Sequence, residues 1–224
     1  MKMKPKLLIF DVNETLLDMS PLKESVNQAL KDKKGFDIWF PNLLQYSLVE
    51  TVTNNYYDFS EIAEATLKMT AESLEVELSK EKIKETLSPI TKLDAYPEIP
   101  RCLEVLKKNG FILIALSNGK PEVLEEQLKF AKIHQFFDEV LSVEEVKNYK
   151  PHNSTYHYAY SSVNILPEDT MLIAAHGWDI AGAKRAGIQA GFVSRPGKAL
   201  YPLALEPEIA EPSLEEITNI LLEM

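Results

Sequence analysis

A small set of side chains in this 224-residue chain combines reactive chemistry with a shared kind of position, just past an apolar run. Asp11 closes "LLIF", Ser117 and Asn118 close "FILIAL", and His176 and Asp179 lie just beyond "MLIAA". Lys150 stands directly before Pro151 in "NYKPHNSTY". A carboxylate at a strand end can attack an electrophilic centre and form an ester, which divides one hard displacement into two easier steps. An ammonium within a few ångströms keeps such a carboxylate ionised and takes up developing negative charge. A second carboxylate can then hold or activate the water that cleaves the ester. Each residue also has a plainer reading. Asp11, Ser117 and Asn118 suit turns, Lys150 suits solvent, and Asp179 suits the N-cap of "IAGAKRAG". Their joint placement favours a site.

The elements that must position them are legible as apolar runs and helical stretches. "KLLIF" reads as a strand buried on both faces, and the block from Ser20 to about Leu93 reads as helical. Within it "SPLKESVNQAL" opens with Ser20 as N-cap, Pro21 at the first helical position and Glu24 in the first turn, and two further helices start on serine, at Ser60 and Ser79. After "LDAYPEIP" helix and strand alternate to the closing helix "SLEEITNILLEM". Such alternation implies an α/β fold, a doubly wound parallel sheet with helices on both faces, whose ligand crevice lies beyond the carboxyl ends of the strands. The division expected is a core of residues 1–18 and 96–224 and a helical insert of residues 19–95. The proline-rich "SRPGKALYPLALEPEIAEP" reads as a surface loop, with Arg195 a pocket cation only if the loop folds back. The aromatic cluster "NNYYDF" at 54–59 reads as packing between insert and core.

Bulk properties narrow the function classes. A net charge of -10 argues against a nucleic-acid partner, since that needs clustered Lys and Arg. One cysteine, Cys102, allows neither an intramolecular disulfide nor a cysteine metal cluster and fits a reducing cytoplasm. "MKMKPKLLIF" is too short for a signal h-region and no run approaches a membrane span, so no membrane partner is expected.

The motifs "FDVNETLLD", "LSNG", "KP" at 150–151 and "AAHGWDIAGAKRAG", in this order with a helical insert after the first, resemble the haloacid dehalogenase superfamily. Within it, "WFPNLLQYSLVETVTNNYYDF", "VLSVEEVKNYKP" and "HGWDIAGA" are most similar to the L-2-haloacid dehalogenases. The resemblance implies a Rossmann-like core, a helical cap and Asp11 as nucleophile toward a small-molecule 2-haloacid. It further implies Thr15 and Ser117 as hydrogen-bond donors to the acid and the ester carbonyl, Lys150 as its cation and Asp179 as the residue that handles water. Asn13, Phe40, Asn118, Tyr156, His176 and Trp178 fall at pocket positions, with Asn118 and Tyr156 also supporting Lys150 and the carboxylates. A homodimer is implied on the same ground; no cofactor and no metal are.

Departures from the family pattern bear on the substrate. Phe40 stands where an arginine follows the tryptophan matched by Trp39, so a replacement cation such as Lys120, or a backbone amide, is expected for a charged acid. Asn13 stands where a tyrosine is usual, Ala174 where a serine is common, and His176 replaces an asparagine. A histidine there can serve as a general acid or base, or as a hydrogen-bonded residue behind Asp179. The alternative within the superfamily is a phosphatase, which needs an acid two residues after the nucleophile and a magnesium ligand four before the last aspartate. Position 13 is Asn and position 175 is Ala. A non-catalytic binding protein on the same fold is the third reading.

Overall fold

Strand β1 (Leu7–Phe10) is buried on both faces, as its unbroken apolar sequence requires. The fold around it is seen in a computed structural model that describes residues 4–224; residues 1–3 of the expected core segment, and with them the start of "MKMKPKLLIF", lie outside the described residues. Among the described residues β1 is followed by four helices: α1 (Ser20–Ala29), α2 (Gly35–Val52), α3 (Phe59–Ser73) and α4 (Lys80–Leu87). The chain then runs through α5 (Ile99–Lys108), β2 (Ile112–Ser117), α6 (Pro121–Phe130), β3 (Glu139–Ser142), α7 (Asn153–Ser162), β4 (Thr170–Ala174), α8 (Gly177–Arg185), β5 (Gln189–Val193), β6 (Ile209–Glu211) and α9 (Leu214–Glu223).

The six strands form one parallel sheet in the order β3-β2-β1-β4-β5-β6. Phe10 is level with Ala115 of β2 on one side and Ile173 of β4 on the other. The chain order therefore reverses at β1, and the crevice at its carboxyl end is the switch point where open sheets bind ligands. Asp11, the next residue, donates its N–H to Ile173 O at 3.1 Å and so begins at that crevice. No described helix is long and apolar enough to cross a membrane.

Several local expectations need correction. Ser20 is the first residue of α1, not its cap; its N–H and hydroxyl both donate to Asp18 Oδ1, at 2.9 and 2.6 Å, and no acid stands in the first turn. The cap of α3 is Asp58 in a reciprocal capping box with Glu61, rather than Ser60, because the Asp58 carboxylate takes the N–H groups of both Ser60 and Glu61. Ser79 does cap α4, accepting from Lys82 N–H at 3.1 Å. Asp179 is the third residue of α8, whose N-cap is His176. The proline-rich loop contains β6, which pairs Gly191 with Ile209 at the sheet edge.

The helical insert packs on itself and on the crevice. Trp39 on α2 is buried and its indole N–H reaches Ala63 O and Thr66 Oγ1 of α3, both at 3.2 Å. Losing so large a buried ring costs about 3–5 kcal/mol. The 54–59 cluster ties insert to core: Tyr56 stacks on Tyr149 at 5.5 Å between centroids, and Tyr149 OH donates to Tyr57 O at 2.5 Å.

Candidate active site

Asp11 is 6% exposed and every donor around its carboxylate comes from a different segment of the chain. Thr15 Oγ1 donates to Oδ2 at 2.6 Å; the same hydroxyl accepts Ala175 N–H at 2.9 Å, so its one proton is committed to Asp11. His176 Nδ1 lies 3.0 Å from Oδ2. Lys150 Nζ lies 2.8 Å from Oδ1 and 2.7 Å from Asp179 Oδ2, and also donates to Leu116 O at 3.2 Å. Asp179, fully buried in the first turn of α8, takes the Tyr156 hydroxyl on Oδ1 at 2.5 Å.

Proton affinities follow from this wiring. Burial pushes Asp11 upward, but the Lys150 charge and the His176 hydrogen bond and charge outweigh it and hold the carboxyl well below the usual range. Burial also drives Asp179 up; Lys150 draws it back down, the Asp11 charge opposes that, and the net direction is up. The two acids share one ammonium, so Asp11 is the firmly ionised partner and Asp179 the readier proton acceptor. Burial lowers Lys150, yet the two carboxylates more than restore it. Burial and the Asp179 charge keep the Tyr156 phenol protonated.

Of the residues singled out in the sequence, Asp11, Thr15, Lys150, Tyr156, His176 and Asp179 come together. Tyr156 is fully buried against Asp179, so it supports the carboxylate and does not line a pocket. Asn118 Oδ1 accepts Lys150 N–H at 2.9 Å and anchors the lysine's backbone. Ser117 does not reach Asp11: its hydroxyl accepts Gly119 N–H at 3.0 Å in the turn after β2. Asn13 turns toward α6, accepting from Gln127 Nε2 at 2.9 Å. His176 faces Asp11 and Glu14 rather than backing Asp179. Trp178 stacks on His176 at 5.1 Å. Lys120 is no replacement for the arginine, because it pairs with Asp58 at the start of α3 at 3.1 Å. Arg195 does fold back, and its guanidinium meets Thr15 O, Glu98 and the face of Tyr96, with the buried Nε left without a hydrogen-bond partner among the described residues.

Two participants escaped the sequence reading. Glu14 accepts from His176 Nε2 at 2.8 Å and from Lys198 Nζ at 2.5 Å. The signals were an acid three residues after Asp11 and a lysine in "RPGK", a stretch read as surface loop.

A cavity of about 190 Å³ between the insert and the core begins beside Asn13 and Gly119 and is walled by Met19, Leu22, Trp39, Phe40, Leu43 and Phe59. Asp11 is not among its lining residues. Phe40 stacks on Phe36 at 5.3 Å and also borders an outer cleft with His176 and Trp178. Among the described residues no group of three or more His, Cys, Asp and Glu side chains is placed to hold a metal ion. The donor set fits a divalent cation poorly: the Lys150 ammonium fills the space between the two carboxylates, and Ala175 offers only a methyl group.

Residues 8–193 match the protein family described as haloacid dehalogenase-like hydrolase. The chain is 28% identical over 218 residues to (S)-2-haloacid dehalogenase 4A of Burkholderia cepacia, covering 96% of this chain and 91% of that protein. The crystallised L-2-haloacid dehalogenase from Xanthobacter autotrophicus with chloropropionic acid covalently bound superposes with a TM-score of 0.89 at 22% identity, covering 98% of this chain and 99% of that one. A dehalogenase solved with an intermediate complex gives a TM-score of 0.89 at 26% identity, covering 97% of both chains.

Proposed function

The chain belongs to the haloacid dehalogenase-like hydrolase family, and we propose that it hydrolyses the carbon–halogen bond of a short 2-haloacid through an ester on Asp11. The observation that carries this reading is the unequal use of the Asp11 oxygens. Oδ2 accepts from both Thr15 and His176, whereas among the described residues Oδ1 accepts from Lys150 alone. A carboxylate oxygen has two lone pairs in its plane, so Oδ1 keeps one for attack.

Oδ1 displaces halide from the carbon that bears it, with inversion there, and Lys150 steadies the anionic charge nearby. Water then adds to Asp11 Cγ and Asp179 takes its proton; the position of Asp179 between the Lys150 ammonium and the Tyr156 hydroxyl holds it ready for this. Residues 19–95 act as the cap over a core of 1–18 and 96–224, and the apolar cavity beneath Trp39 and Phe40 receives the apolar part of the substrate. The named activities of the similar proteins support the substrate class.

The test is halide release across short fluoro-, chloro- and bromo-acids, with Asp11→Asn as control, followed by single turnover in heavy-oxygen water and peptide mass analysis. Halide release that depends on Asp11, with label entering Asp11, supports the proposal. Magnesium-dependent release of phosphate from an aryl phosphate in place of halide would overturn it in favour of a phosphatase.

A further inference from the structure

The chain passes between core and insert twice, outward through residues 12–19 and back through residues 93–98, and the two crossings lie side by side. Tyr96 N–H donates to Leu16 O at 3.0 Å and Asp18 N–H to Asp94 O at 2.9 Å, with Leu17 bridged antiparallel to Ala95. A two-stranded ribbon this short has little stability of its own. The outward crossing is tightly wound: Glu14 is left-handed at φ 59° and ties its N–H to Leu17 O at 3.0 Å. Asn13 and Met19, toward its two ends, are walls of the cavity between insert and core. The angle of the ribbon therefore sets the shape of that cavity.

One core side chain grips both crossings. Arg195 lies in the loop after β5 and is 8% exposed, and one of its terminal nitrogens donates to Thr15 O at 3.0 Å on the outward crossing. The other lies 2.7 Å from Glu98 Oε1 at the end of the return crossing, and the guanidinium face covers the Tyr96 ring, with Cζ 3.8 Å from the centroid. Further along the same loop Lys198 Nζ donates to Glu14 at 2.5 Å, so the outward crossing is held at adjacent residues. The geometry needs a guanidinium. Two nitrogens fixed in one plane reach two segments while the flat face stacks on a ring, which an ammonium on a flexible stem cannot reproduce. Nε is buried and has no hydrogen-bond partner among the described residues, so the side chain is placed for its outer contacts rather than for that donor.

We infer that Arg195 is a positioning residue for the dehalogenation proposed above: it clamps the two crossings, fixes the insert over the core, and keeps the substrate cavity formed before substrate arrives. The inference rests on that reading of the site. Arg195 touches none of the reacting atoms. The groups around Asp11 have anchors in the core that do not involve it: Thr15 Oγ1 accepts Ala175 N–H, Asn118 holds the Lys150 backbone, and Tyr156 holds Asp179. Loosening the clamp thus leaves the chemistry of a bound substrate in place and lowers the fraction of molecules whose cavity is ready to receive one. Apparent affinity falls in proportion to that fraction.

The experiment uses Arg195→Lys, which keeps the charge beside Glu98 but not the fork, and Tyr96→Leu, which keeps the guanidinium but removes its ring. Each is measured in steady-state halide release from 2-chloropropionate and in amide hydrogen exchange without substrate. In Arg195→Lys, KM rises by about tenfold, as a ready fraction of about one tenth requires, while kcat stays within about threefold of wild type. Exchange quickens at residues 13–18 and 94–98 and is unchanged in β1, β2 and β4. Tyr96→Leu shows the same pattern to a smaller degree and decides the matter if Arg195→Lys fails to fold. A wild-type KM in a variant that folds, a loss confined to kcat, or crossing amides that exchange as in wild type overturns the assignment while leaving the dehalogenase reading intact. Absence of halide in wild type overturns the dehalogenase reading, and the exchange measurement, made without substrate, still decides whether the clamp exists.

Discussion

Replacing Lys150 with methionine tests how the site holds two acids together. Lys150 is 3% exposed, and its ammonium lies 2.8 Å from Asp11 Oδ1 and 2.7 Å from Asp179 Oδ2. Removing one partner of a buried ion pair leaves the other uncompensated and costs about 3–5 kcal/mol. Here two carboxylates are stranded, so the cost must depend on pH. In wild type the lowered Asp11 contributes stability that is present above its unfolded value and lost on acidification through its folded value. In Lys150→Met the sign reverses. Two buried anions without a cation raise the folded value of one of them above the unfolded one, and the folded state retains a proton that the unfolded state releases. Stability of the variant relative to wild type then falls by at most about 1.4 kcal/mol for each pH unit above the unfolded carboxylate range, since the raised Asp179 of wild type takes part of the same slope. Urea denaturation of both proteins at pH 5, 6 and 7 measures this: the gap should widen by up to about 2.7 kcal/mol from pH 5 to 7. Parallel curves, or a loss below about 1 kcal/mol at pH 7, would refute the claim that this lysine is the shared counter-ion.

Asp11→Asn should abolish halide release and lower the urea midpoint at neutral pH, because it deletes both the nucleophile and the anion that Lys150 and His176 hold ionised; retained turnover removes Asp11 from its role. Tyr156→Phe takes a donor from Asp179 and is expected to cost about 1–3 kcal/mol; it also raises the proton affinity of Asp179, so the acidic limb of the ester-hydrolysis profile should move to higher pH. Gly182→Ala would place a methyl 2.4 Å from Pro151 Cβ and 2.5 Å from Tyr156 Oη. Thermal unfolding should show a loss of about 1–3 kcal/mol, and turnover should fall with it as Tyr156 is pushed from Asp179.

The placement of the site was readable because it depends on patterns the chain carries locally. Short unbroken apolar runs bounded by turn residues suit strands covered on both faces, and polar residues directly after them emerge at the carboxyl edge of a parallel sheet. Asp11 directly follows β1, Asp179 lies in the first turn of the helix after β4, Lys150 comes from the loop that enters α7, and the helical insert follows from its own periodicity. What each side chain touches was a different matter. Ser117 and Thr15 carry the same hydroxyl, yet Ser117 accepts Gly119 N–H in its own turn while Thr15 accepts the Ala175 amide, 160 residues away, and donates to Asp11. His176 reads equally well as base, acid or bystander until Glu14 and Asp11 bracket it, and that needs the left-handed turn at Glu14. Lys198 and Arg195 sit in a stretch whose composition says surface, and only the edge strand β6 draws that stretch back over the site. Sequence periodicity sets which way a backbone runs and which face is apolar. Hydrogen-bond partners are selected by segments far apart in the chain, and only folding brings those segments together.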